Sequence, residues 1–151
     1  LRCLVGSEMC IRDSVCASDE AAQNPLKKKM LLIAAPPGKK THVRSVDEVI
    51  GLLQDPRAER MKIFLLTDNP KDALKLVSAL GLKNVNLGNY HNRKAEHTAS
   101  VSMYVQLDRD DLGALKEISE RVADAYVQSL PSTEKTSLKA FVAAAEKAEW
   151  K

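Results

Sequence analysis

The chain has 151 residues, 44% of them hydrophobic and 28% charged, with a formal net charge of +3, which suits one soluble domain able to bury a core. The 23 basic and 20 acidic residues leave no nucleic-acid footprint, and two Phe, three Tyr and one Trp are too few for a base-stacking platform. No apolar stretch approaches the roughly 18 residues of a membrane span, and no apolar h-region of a signal peptide is evident.

All three cysteines, Cys3, Cys10 and Cys16, fall near the start, with none later in the chain to complete a disulfide framework or a metal site. No metal or cofactor is expected, and a reducing, cytoplasmic setting fits. The first 14 residues, LRCLVGSEMCIRDS, show neither helical nor strand periodicity. Within them LVGSEMCIRDS resembles a translated sequencing-adapter scar. The expectation is a non-native, disordered segment at 1–14 and a single domain at 15–148 that is incomplete at its N-terminus.

From Val15 onward, strand and helix signals alternate. VCAS (15–18) is a short apolar run, and Asn24-Pro25 pairs a cap with a proline at the first helical position. Leu26, Met30 and Ile33 recur at spacings of four and three, predicting one apolar face, and Pro36-Pro37-Gly38 ends that helix. THVRS (41–45) reads as a strand, and Ser45 with Glu48 forms a capping box before Val49, Ile50 and Leu53. MKIFLLT (61–67) has no sustained alternation, as expected of a central parallel strand covered on both faces.

Asp68-Asn69-Pro70 then starts a helix lined by Leu74, Val77 and Leu80 and stopped by Gly81. A short strand, VNL (85–87), leads into Gly88-Asn89-Tyr90-His91 and a polar loop to residue 100. SMYVQL (102–107) predicts a strand, and Asp108 caps a helix carrying Leu112, Leu115, Ile118 and Val122. AYVQSL (125–130) reads as the last strand, and Pro131-Ser132 as the start of a terminal helix with Leu138, Phe141, Val142 and Ala145.

Strands alternating with helices imply an α/β fold, an open and mostly parallel sheet with helices on both faces. Ligands of such sheets bind at the carboxyl ends of the strands. That rule selects Ser18-Asp19, Thr67-Asp68-Asn69 and Gly88-Asn89-Tyr90-His91. Two of these segments lead into helix N-termini, where free N–H groups suit an anion such as phosphate. The six scattered glycines spell no dinucleotide or Walker loop, and no C-x-x-C, H-E-x-x-H or G-x-S-x-G occurs. Residue chemistry alone supports a phosphate-friendly α/β domain.

Three stretches carry a resemblance: LLIAAPPGKKTHVRSVDEVIGLL, MKIFLLTDNPKDALKLVSALGLKNVNLGNY and DRDDLGALKEISERVADAYVQSLPS. They resemble the IIB component of the mannose/fructose/sorbose family of the bacterial phosphotransferase system, in register from about Val15 to Ser132. The resemblance implies a phosphoryl carrier between a phosphohistidine on a IIA partner and a sugar held by a membrane IIC/IID complex. It implies no cofactor, no nucleic acid and no direct insertion into the membrane. The family's acceptor histidine lies in a D-x-R-L-I-H-G-Q loop after its first strand, and nothing like that loop occurs here.

On this reading the first strand and its loop belong upstream of Val15, no catalytic residue is present, and the chain is inactive and marginally stable as it stands. Ser18, Asp19, Thr67, Asn69, Gly88 and Asn89 are the candidate phosphate-site residues, with His91 as an accessory. His42 is expected on a half-exposed strand and His97 in a solvated loop. The competing expectation for Gly88 is a tight turn with positive φ. Two other functions compete: a non-catalytic docking or regulatory domain with a IIB-like shell, and a nucleotide or flavin binder, which the lack of a glycine-rich loop disfavours.

Overall fold

The structure, a computed structural model, describes residues 3–4, 13–35 and 37–150. In chain order the elements are β1 (Cys3–Leu4), β2 (Asp13–Ala17), α1 (Asp19–Gln23), α2 (Pro25–Ile33), β3 (Lys40–Arg44) and α3 (Val46–Leu53). A short 3-10 helix at Pro56–Arg60 precedes β4 (Ile63–Thr67), α4 (Pro70–Leu80), β5 (Asn84–Leu87), β6 (Tyr90–His91), β7 (Ala99–Ser102) and β8 (Val105–Leu107). The chain closes with α5 (Arg109–Arg121), β9 (Asp124–Val127), β10 (Thr136–Ser137) and α6 (Leu138–Glu146). No helix among the described residues is long and apolar enough to cross a membrane.

The strands form three ladders, ordered β3-β2-β4, β1-β5-β9-β10 and β6-β8-β7. β2 runs parallel to β3 and β4, β5 parallel to β9, and β6 parallel to β8. The antiparallel pairs β1–β5, β9–β10 and β7–β8 sit at ladder ends. The ladder of β2 starts at Asp13 and takes in Ser14, two residues before the expected restart at Val15. Cys3–Leu4 of that opening segment pair with β5, and its residues 1–2 and 5–12 lie outside the described residues.

Strand alternation explains how both faces of the first ladder are covered. Val15 and Ala17 point with Leu65 toward Val46, Val49 and Leu76, the inner faces of α3 and α4. Cys16 points with Val43 toward Ala21 and Leu31 of α1 and α2. The larger core joins Val85, Leu87, Val105, Leu107 and Val127 to Leu112, Leu115 and Ile118 of α5 and to Leu138, Phe141 and Val142 of α6. The predicted caps are in place: Asn24, Ser45, Asn69 and Asp108 each accept from a backbone N–H in the first turn that follows. Gly81 ends α4 in the left-handed region at φ 61°, a conformation that costs glycine little.

Several local expectations change. Leu26, Met30 and Ile33 do share a face of α2, but they are 68%, 61% and 74% exposed, and no residue of that helix is buried. β4 is an outer strand of its ladder, because β2 takes the middle position with two parallel partners. SMYVQL is not one strand: a turn at Met103-Tyr104 folds it into a hairpin of β7 and β8 with an irregular register. The terminal helix starts at Leu138 rather than at Pro131, with Ser137 as its cap, and β9 ends at Val127.

Candidate functional site

A small cleft takes residues from the carboxyl ends of β4 and β5, which belong to different ladders. Thr67, Asp68, Asn69, Pro70, Ala73, Leu87, Tyr90 and Leu115 line it. Two of the three sequence-selected segments therefore converge there. The third joins through a hydrogen bond: Ser18 Oγ donates to Asp68 Oδ2 at 2.6 Å. Ser18 is 1% exposed, its N–H donates to the Arg44 carbonyl at 3.0 Å, and its Oγ accepts from Ala21 N–H at 3.2 Å. Asp19 does not line the cleft but ties α1 to α3, its Oδ1 accepting from Val46 N–H at 2.9 Å.

Asn69 organises the α4 wall. Its Oδ1 accepts from Asp72 N–H at 2.8 Å, and its Nδ2 donates to Asp68 Oδ1 at 3.0 Å and Asp72 Oδ2 at 2.7 Å. The amide thus bridges two carboxylates while capping the helix. Burial pushes the Asp72 carboxyl above its ordinary pKa, the charges of Asp68 and Asp19 adding to the shift and the Asn69 bond opposing it. The helix terminus itself has little left to offer an anion. Pro70 has no N–H, Asp72 N–H is capped, and Ala73 N–H donates to the Asn69 carbonyl, so Lys71 N–H is the donor of this turn without an acceptor among the described residues. Thr67 is 4% exposed and its Oγ1 has no partner among the described residues.

The opposite wall is Leu87 and Tyr90, the latter carried by the loop from Gly88 to Asn92. Gly88 is buried and its carbonyl accepts from Ser129 Oγ at 3.3 Å. It is not among the positive-φ glycines, which are Gly38 and Gly81, so the tight-turn expectation does not hold for it. Asn89 and His91 are exposed, whereas Tyr90 and Asn92 turn inward. Asp111, 2% exposed, receives Tyr90 Oη at 3.1 Å and Asn92 Nδ2 at 2.8 Å on the same oxygen. Burial raises the pKa of Asp111 and, with the charge of Asp111 beside it, that of the Tyr90 phenol.

The strand-end rule took in Asp68 and Tyr90 within their segments without giving them a role, and the sequence did not single out Asp72, Asn92 or Asp111. A signal for Asp111 did exist: it is the third helical residue of a D-x-x-D capping box. Tyr90 and Asn92 are two apart, as side chains on one side of an extended segment must be. Of the histidines, His42 is an exposed residue of β3, and His97 lies in a separate cleft with Asp108, Arg109, Asp110 and Trp150. His91 sits beside the loop wall and has no side-chain partner among the described residues. No group of histidine, cysteine and acidic residues suited to a metal ion occurs among the described residues.

A largely parallel α/β domain with polar, helix-capped loops meeting at its strand ends has a cleft where such sheets hold ligands. The comparisons define the class further. Residues 7–151 match the family model for the PTS system sorbose subfamily IIB component, and the chain belongs to that family of phosphoryl carriers. It is 35% identical over 133 residues to a probable phosphotransferase enzyme IIB component of Streptococcus pyogenes, covering 85% of this chain and 82% of that one. It is 31% identical to the fructose-specific EIIB component of Bacillus subtilis, covering 78% and 72%. The mannose-specific EIIAB component of Escherichia coli is 27% identical, with 88% of this chain matching 41% of that longer protein. Among solved structures, the IIBSor domain of the sorbose permease from Klebsiella pneumoniae has the same fold, with a TM-score of 0.79, 22% identity and coverage of 88% and 81%.

Proposed function

We propose that this domain comes from a protein that relays a phosphoryl group from a phosphohistidine on a IIA partner to a sugar bound by a membrane IIC/IID complex. In this role it works in the cytoplasm, as a protein-phosphohistidine–sugar phosphotransferase. In the first step an acceptor imidazole nitrogen attacks phosphorus, the new N–P bond forming as the donor's N–P bond breaks and the donor imidazole leaves with the electron pair; in the second a sugar hydroxyl attacks, losing its proton as the O–P bond forms and the carrier's N–P bond breaks. The cleft between Thr67–Asn69 on one side and Leu87 and Tyr90 on the other is the observation that supports the reading, because it lies at the position where such sheets hold ligands. Lys71 N–H and the backbone around Gly88 and Asn89 are the donors we assign to phosphoryl oxygens, with Ser18 and Asp19 bracing the mouth and His91 at its rim.

The acceptor histidine is not among the three in this chain. His42 and His97 lie away from the cleft, and no D-x-R-L-I-H-G-Q sequence surrounds His91. That absence also favours the second reading, a docking or regulatory domain that binds a IIA partner without accepting phosphate. Incubation with a phosphorylated IIA domain tests both. The chain as it stands takes up no acid-labile phosphate, and it gains one equivalent once a strand ending in an R-L-I-H-G-Q loop is joined ahead of β2. Uptake by the unaltered chain would contradict the assignment of the acceptor, and no uptake by the restored chain that nonetheless binds IIA would leave the docking reading.

A further inference from the structure

Strand geometry gives the loop after β5 two inward anchors. In β6 the backbone is extended, so Tyr90 and Asn92 point to one side and His91 to the other. On their side lies the N-terminus of α5. Asp111 Oδ2 accepts from Tyr90 Oη at 3.1 Å, from Asn92 Nδ2 at 2.8 Å and from the Asp108 N–H at 3.2 Å. Asn92 Nδ2 also donates to Asp108 Oδ2 at 2.8 Å. A single buried carboxylate therefore holds the cap of α5 and both ends of the Tyr90–Asn92 segment.

Capping does not require this arrangement. A capping box needs only the reciprocal bonds between Asp108 and Asp111, here at 2.7 and 3.2 Å. The extra bonds to Tyr90 and Asn92 join the cap to the cleft wall, and burying the carboxylate costs free energy unless those donors compensate. The backbone of the same segment pairs in parallel with β8, Tyr90 opposite Val105 and His91 opposite Gln106, with Tyr90 N–H on the Tyr104 carbonyl at 2.9 Å and Asn92 N–H on the Gln106 carbonyl at 3.0 Å.

We propose that Asp111 is the positioning residue of the cleft, fixing the Gly88–Asn92 wall against the α4 wall through Tyr90 and Asn92 while His91 is left facing out. The proposal deepens the phosphoryl-site reading, on which its purpose rests, but the clamp can be tested with no phosphate present. Amide hydrogen exchange of the full chain, read residue by residue, separates a clamp from a cap. Asp111→Ala speeds exchange at Tyr90 and Asn92 by about tenfold or more and also loosens the first turn of α5. Tyr90→Phe combined with Asn92→Ala speeds the same two amides and leaves the α5 turn unchanged.

Asp111→Asn keeps an oxygen acceptor in place and restores protection at Tyr90 and Asn92. Should Asp111→Ala loosen only α5, or should the paired Tyr90 and Asn92 changes leave both amides protected, Asp111 is a cap and nothing more. If Asp111→Ala fails to fold, the paired variant, which keeps the cap intact, decides alone. Failure of phosphate uptake in the restored chain would bear on the functional reading and not on this clamp.

Discussion

Helices α2 and α5 begin from the same kind of pattern and end in opposite environments. Leu26, Met30 and Ile33 repeat on α2 as regularly as Leu112, Leu115 and Ile118 do on α5. On α5 all three are buried, because α4 and α6 pack on either side. On α2 all three are exposed, since the helix leans on the short α1 and on β3 and presents only Leu31 to the core. Periodicity states that a helix has an apolar face; neighbours decide whether the face is covered. The α5 side also carries the clamped wall of the cleft, and the α2 side carries an apolar stripe flanked by Lys27 and Lys29.

Truncation breaks this symmetry most sharply. Leu115→Ala, at a residue 2% exposed, costs about 2–5 kcal/mol in a denaturant melt, while Met30→Ala stays within about 0.5 kcal/mol. Equal losses at both sites would mean that α2 is covered in solution. Next comes Asp111→Ala, which leaves buried donors unmatched and costs about 1–3 kcal/mol at neutral pH.

The charge on Asp111 adds a pH dependence of defined sign. Its folded pKa is raised by burial, so its charged form is penalised above the folded pKa, and that penalty fades as pH falls through the folded toward the unfolded value. Asp111→Asn therefore gains on the parent above that window, and its advantage shrinks below it. A gap that widened on acidification would show that Asp111 is held charged, not strained. Asn69→Ala costs about 1 kcal/mol through the lost α4 cap. The smallest effect on stability comes from changing Leu26, Met30 and Ile33 together to Gln, which stays near zero yet lowers binding of a hydrophobic dye.

The sequence announced elements wherever a local rule suffices. Asn24-Pro25, Ser45 with Glu48, Asn69-Pro70 and Asp108 all cap where expected, because capping depends on a few adjacent residues. The run Leu112-Leu115-Ile118-Val122 was legible for the same reason. What was not legible depends on partners far along the chain. Met103-Tyr104 turns because β7 and β8 pair with each other, and Pro131 starts no helix because Thr136–Ser137 first pairs with β9.

The cleft shows the same division. Thr67, Asn69 and Gly88 were visible as strand ends, whereas Asp111 joined the wall only through bonds to residues 19 and 21 positions away. The roles of Asp68 and Asp72 were hidden likewise, since an acid after a strand or in a helix's first turn reads as solvated until Asn69 is seen to bridge the two.

The most direct test of a phosphoryl site between the two walls is a titration of the isotope-labelled chain with inorganic phosphate, followed by its backbone amide spectrum. The account predicts saturable shifts at Lys71, Gly88 and Asn89, with the α2 amides unmoved. Shifts confined to other helix starts, or none at any of these three amides, would contradict it.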